Sequence, residues 1–96
     1  MRHWLSVAAS PGQFPGEFAV GGLQYNNKPF SLFAPAEAVA IPPGSEGHGR
    51  LLVDLVEKKG DLALIRLPAQ TLENGQYITV KTSELQPATS PEQVAP

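Results

Sequence analysis

Arg50-Leu51-Leu52-Val53-Asp54-Leu55-Val56-Glu57-Lys58-Lys59-Gly60-Asp61-Leu62-Ala63-Leu64-Ile65-Arg66-Leu67 consists of two apolar runs joined by a polar break that ends in glycine. Each run has the length and branched-residue content of a strand, and the break is too short for anything but a hairpin. Glycine at the third position of Lys58-Lys59-Gly60 predicts a three-residue loop, a type I turn closed by a G1 bulge. In that register Leu51, Val53 and Leu55 share a face with Ala63, Ile65 and Leu67. Asp54 and Arg66 then lie on the opposite face as diagonal neighbours.

Strand signals continue on both sides of this hairpin. Arg2 to Ala8 alternates with His3, Leu5 and Val7 on one face and Trp4 and Ser6 on the other, until Ser10-Pro11-Gly12 stops it. Glu17 to Leu23 is a second strand, and Asn26-Asn27 supplies residues tolerant of positive φ before a third at Pro29 to Phe33. Gly21-Gly22 removes two side chains from the second strand, the mark of a bulge, a bend or a backbone passing close. Ala34 to Val39 predicts one short helical turn. The breaker-dense stretch from residue 42 to 49 reads as the longest loop. Gln76 to Lys81 alternates again, with Ile78 and Val80 inward and Tyr77, Thr79 and Lys81 outward. Thr82-Ser83-Glu84-Leu85 fits a 3₁₀ turn that drops Leu85 onto the core.

Composition agrees with one small β domain. The chain has 96 residues, 42% of them hydrophobic, with 9 Gly and 10 Pro punctuating short elements. The expected organisation is one domain over residues 1–86, followed by a proline-spaced, polar, disordered tail over 87–96. No cysteine is present, so disulfides and thiolate chemistry are excluded and a cytoplasmic location is expected. The N-terminal apolar stretch is too short, and too soon broken by Pro11-Gly12, to read as a secretory signal. No run is long enough to cross a membrane as a helix.

The hairpin within Gly49 to Leu85, especially Val53 to Ile65, followed by Ile78-Thr79-Val80-Lys81-Thr82-Ser83-Glu84-Leu85, resembles the closing half of an SH3-like or KOW-type small barrel. The fold this implies is all-β, an SH3-like barrel of about five to six short antiparallel strands with one short helical turn. The resemblance bears on fold more than on activity; fold size and the absence of catalytic motifs lead to the expected function, a non-enzymatic module that binds another protein or serves as a small subunit of a larger assembly. Proline-peptide-binding SH3 domains carry clustered aromatics and an acidic loop, and this chain has neither. KOW domains are typically basic, whereas here 7 Lys and Arg stand against 9 Asp and Glu for a net charge of −2.

Candidate chemistry is sparse. Gly44-Ser45-Glu46-Gly47-His48-Gly49 lacks the glycine order of a phosphate loop and precedes a strand. Ser45, Glu46 and His48 are too close in a loop to hold a catalytic triad, and His3 and His48 lie on different elements, so no metal and no cofactor is expected. Trp4, Tyr25, Phe33 and Tyr77 are the candidate protein-binding residues, because each falls on an outer strand face or in a turn. Trp4 and Phe33 serve equally well as seals over the ends of the core. Lys58, Lys59 and Arg66 form the alternative, a nucleic-acid contact, which the net negative charge disfavours. A small ligand-binding or enzymatic barrel around residues 42–49 is a further alternative.

Overall fold

The computed structural model describes residues 2–45, 47–73 and 75–88. These residues form eight strands and two 3₁₀ turns. The strands are β1 (Arg2–Pro11), β2 (Glu17–Leu23), β3 (Pro29–Pro35), β4 (Val39–Ala40), β5 (Gly47–Lys59), β6 (Leu62–Arg66), β7 (Tyr77–Lys81) and β8 (Leu85–Pro87). The turns cover Ala36–Ala38 and Thr82–Glu84. The single curled antiparallel sheet runs in the order β3-β2-β1-β5-β6-β7, with β4 added to β5 and β8 to β1. The all-β expectation therefore holds. The strand count exceeds the expected five to six because β4 and β8 are too short to show any alternation of their own.

β8 decides the shape. It pairs with β1 through His3↔Pro87, Trp4↔Gln86 and Leu5↔Leu85, and the Ala88 N–H donates to the Arg2 carbonyl at 3.1 Å. The path β1-β5-β6-β7-β8 thus returns to the strand on which it began. The hairpin of β2 and β3 is inserted between the first two members of that path. Its tip reaches the far edge: the Tyr25 N–H donates to the Thr79 carbonyl of β7 at 2.9 Å.

Away from its turn the central hairpin keeps its expected faces but shifts its register by two residues. Leu55 opposes Ile65 and Asp54 directly opposes Arg66, with a bulge between Leu55 and Glu57, and Lys59 opposes Leu62. The loop is thus the two residues Gly60-Asp61, with φ 62° at Gly60 and a negative φ at Asp61, the φ signs of a type II′ turn. The bulge lies at Val56, not at the turn. Beyond the bulge a shift of two leaves Leu51, Val53 and Leu55 on their expected face, whereas between the bulge and the turn the faces exchange and Glu57 lies outward opposite Leu64.

The inward faces meet in one core. Leu5, Val7 and Ala9 of β1, Val20 of β2, Phe30, Leu32 and Ala34 of β3, Leu51 and Val53 of β5, Ala63 and Ile65 of β6, and Ile78 and Val80 of β7 are buried, together with Ala38 and Leu67. Leu85 packs against this core, as its place after a 3₁₀ turn predicts. No polar or charged residue is buried among the described residues. Gly22 faces inward beneath the Phe30 ring, and a Cβ there would sit 2.9 Å from two ring carbons. The Gly21-Gly22 pair therefore accommodates an aromatic ring and does not bulge β2, whose pairing with β3 is regular from Glu17 to Leu23.

The longest connection is 67–76 and not 42–49, because β5 already begins at Gly47. This connection straps the open edge of β3. Ser31 donates its N–H and its Oγ–H to the two carboxylate oxygens of Glu73 at 2.8 and 2.6 Å, and its carbonyl accepts from Leu72 N–H at 2.8 Å. Pro29 and Pro35 end the same strand without backbone donors, so the β3 edge is blunted along most of its length. The paired chain extends to Pro87. Of the tail expected over 87–96, residues 89–96 lie outside the described residues. Among the described residues no helix is long and apolar enough to cross a membrane.

Candidate interaction face

The outer surface of β5, β6 and β7 is organised in three cross-strand rows. Nearest the turn, Lys59, Leu62 and Lys81 stand side by side; next come Glu57, Leu64 and Thr79. The third row is Arg2, Asp54, Arg66 and Tyr77, one residue from each of β1, β5, β6 and β7. β6 supplies the middle member of the first two rows, and it is leucine both times. An antiparallel strand with one face to solvent ordinarily alternates apolar with polar. Leu62-Ala63-Leu64-Ile65 does not alternate: Ala63 and Ile65 are buried inside while Leu62 and Leu64 lie half-buried outside.

Around these leucines is an open groove of about 280 Å³, lined by Glu57, Lys59, Leu62, Leu64 and Thr79. Val56 is 51% exposed on the bulge, and Tyr77 is 57% exposed at the end of the third row. The bulge itself re-aims β5, turning a β-branched residue out of the ladder beside the groove. Tyr25 is exposed and its backbone is bonded to Thr79, two residues from Tyr77 along β7.

The charged row is held loosely. Asp54 takes Arg66 Nη2 at 3.4 Å on one carboxylate oxygen and Arg2 Nε at 3.8 Å on the other. All three side chains are substantially exposed, so each pair stabilises weakly, at about 0.2–1 kcal/mol. Among the described residues Lys59 and Lys81 have no ion-pair partner.

The four candidate aromatic residues separate into three places. Tyr77 lies on the outer face of β7, and the backbone of Tyr25 is bonded to the same strand at Thr79. Trp4 lies on the outer face of β1 between Leu52 and Gln86, with the Arg50 guanidinium 5.8 Å from its ring centroid and Arg50 Nη1 donating to Gln86 Oε1 at 3.0 Å. It is half-buried beneath that clamp and outside the core. Phe33 is on the outer face of β3 opposite Ala19 and 38% exposed, so it seals no core end either.

The three candidate cations also divide. Lys59 and Arg66 share the outer face, but the bulge at Val56 sets Lys58 opposite the inward residue Ala63, at the mouth of the core beside Leu55 and Leu85. Lys81 takes its place on the outer face. The expected loop Lys58-Lys59-Gly60 puts the extra residue at Gly60, whereas the fold puts it at Val56 and closes the turn with Gly60-Asp61.

Sequence reasoning passed over Val56, Leu62 and Leu64, although the unbroken apolar run of β6 was the available signal. Phe14, Leu23 and Leu72 are also exposed and were not singled out. The 42–49 segment offers little: His48 lies on β5 opposite Ala8, its N–H bonded to the Ser45 carbonyl at 2.9 Å, and Glu46 is outside the described residues. A cleft of about 290 Å³ between the first 3₁₀ turn and β6 is lined by Arg2 and Arg66 but also by Asp54 and Glu37, so its charges balance. No group of three or more His, Asp or Glu is placed to hold a metal ion among the described residues. Compared with known proteins, the chain matches no family model, no curated protein and no solved structure.

Proposed function

We propose that the chain is a non-enzymatic protein-interaction module of SH3-like architecture, and that it binds its partner on the outer face of β5, β6 and β7. The observation that carries this reading is β6 itself, apolar on both faces while only one face is covered. Leu62 and Leu64 share the outer face with the exposed Tyr77, Val56 is exposed on the bulge next to Glu57, and the exposed Tyr25 is tied by its backbone to β7, so apolar side chains stand among charged ones as in protein-binding patches. Tyrosine is suited to anchoring such a contact, since it offers a large rigid surface with a polar tip. The SH3-like assignment is supported by the strand path, a meander that ends in a 3₁₀ turn and a last short strand returned to the first.

The test is affinity capture of a verified partner by wild type, by a Tyr25→Ala/Tyr77→Ala double variant and by Phe33→Ala. Retention is expected to fall at least tenfold in the double variant and to be unchanged in Phe33→Ala. Equal retention by all three, with folding verified by circular dichroism, contradicts the assignment of the face.

A further inference from the structure

We infer that this face takes an extended acidic peptide, two carboxylates bracketing one apolar side chain in the order acid-x-apolar-x-acid, an inference that rests on the docking reading above. The spacing comes from β6. Leu62, Leu64 and Arg66 point to the same side, and an extended ligand running along the strand presents its own side chains at the same period of two residues, roughly 6.7 Å. One ligand residue then falls on the row Lys59–Leu62–Lys81, the second after it on the row Glu57–Leu64–Thr79, and the fourth after it beside Arg66.

Each row selects a different chemistry. Lys59 and Lys81 flank Leu62 with two cations that have no ion-pair partner among the described residues, which favours a carboxylate at the first position. Glu57 and Leu64 line the groove at the second row, so a central acid is repelled and an apolar side chain is accepted. Arg66 serves the third. Its single contact to Asp54 is 3.4 Å long, and Arg2 remains on the other oxygen of Asp54 when Arg66 turns to a ligand. The ligand is therefore held by charge at both ends and by apolar burial in the middle.

A nucleic acid fits this face less well. The outer-face cations Lys59, Lys81, Arg66 and Arg2 are interrupted by Glu57 and Asp54, Lys58 is on the other side of the sheet, and the molecule as a whole is net negative. A polyphosphate needs an unbroken run of cations along its backbone.

The experiment pans a display library of random nine-residue peptides against the immobilised full chain, in parallel with Lys59→Glu/Lys81→Glu and Leu64→Arg variants, each with folding verified by its thermal melt. Enrichment of acid-x-apolar-x-acid sequences is expected. The best of them, fluorescein-labelled, should lose about tenfold in affinity in the double variant, whose exposed sites leave the fold untouched. Apolar enrichment that Leu64→Arg abolishes, but that is indifferent to Lys59→Glu/Lys81→Glu, overturns the acidic ligand and leaves the docking face standing. No enrichment, or enrichment unchanged in both variants, overturns both. Tighter binding of a twelve-nucleotide RNA than of the best peptide also overturns the acidic-peptide assignment.

Discussion

Adding a single methyl group at position 22 places it 2.9 Å from two carbons of the buried Phe30 ring, whereas at position 21 the nearest atom is the Phe30 carbonyl oxygen at 3.6 Å. The neighbouring glycines should therefore respond differently to the same change. Gly22→Ala is expected to cost about 1–3 kcal/mol, the range for overpacking a filled core, and Gly21→Ala less than about 0.5 kcal/mol. Urea unfolding of the two variants measures the contrast. The sequence marks the pair as unusual, but the ring above Gly22 comes from the next strand and only the β2–β3 register assigns it. Glu73 is a second residue whose role depends on a remote partner. The two bonds from Ser31, side chain first and backbone second, hold its pKa below the ordinary carboxylate value. A carboxylate whose pKa is depressed by folding adds stability above its unfolded pKa and loses it as pH falls through the folded value. The Ser31 amide resonance is accordingly expected to titrate with Glu73, below the ordinary glutamate range, and Glu73→Gln should remove that step.

β8 is only Leu85–Pro87, yet it returns the chain to β1. Its register is reinforced from β5 by Arg50, which lies over Trp4 and donates to Gln86. Removing the guanidinium in Arg50→Ala is expected to cost about 1 kcal/mol. The loss should be local: faster amide exchange at Gln86 and Ala88 and a red shift in tryptophan emission, which reports this site alone because Trp4 is the only tryptophan. Unchanged emission and exchange contradict the clamp. Such short elements are invisible to periodicity, because two or three residues carry no alternation and pair only where a neighbour presents an open edge. The central hairpin shows the complementary limit. Its faces were legible from Leu51, Val53, Ala63 and Ile65, but registers two residues apart satisfy the same pattern. The choice rests on turn chemistry, and Gly60 fits both as the third residue of a longer loop and as the first of a tighter one. Gly60→Val is therefore expected to destabilise by about 1–2 kcal/mol, because its φ of 62° is left-handed, whereas Asp61→Asn should be nearly silent in the same unfolding experiment.

Across the molecule, one side is closed by its own chain and the other is left with an apolar strip. The strap from Leu67 to Gln76 covers the edge of β3 through Leu72 and Glu73, and the hairpin tip reaches β7 through Tyr25. These long-range bonds explain why the candidate site was only half legible. Tyr25 and Tyr77 could each be read as outward, but the attachment of Tyr25 to β7 depends on a hairpin crossing the fold. Lys58 was grouped with Lys59 and Arg66 because the Val56 bulge leaves no mark in an otherwise apolar stretch. With two-sided β6 as the basis of the account, the most direct measurement is amide hydrogen exchange of the intact chain with and without a verified bound partner. Added protection is expected across Leu62–Arg66 and Tyr77–Lys81 and at Tyr25, with β2 and β3 unchanged beyond their tip. Protection confined to the outer face of β1, β2 and β3, with β6 and β7 exchanging as in the free chain, would contradict it.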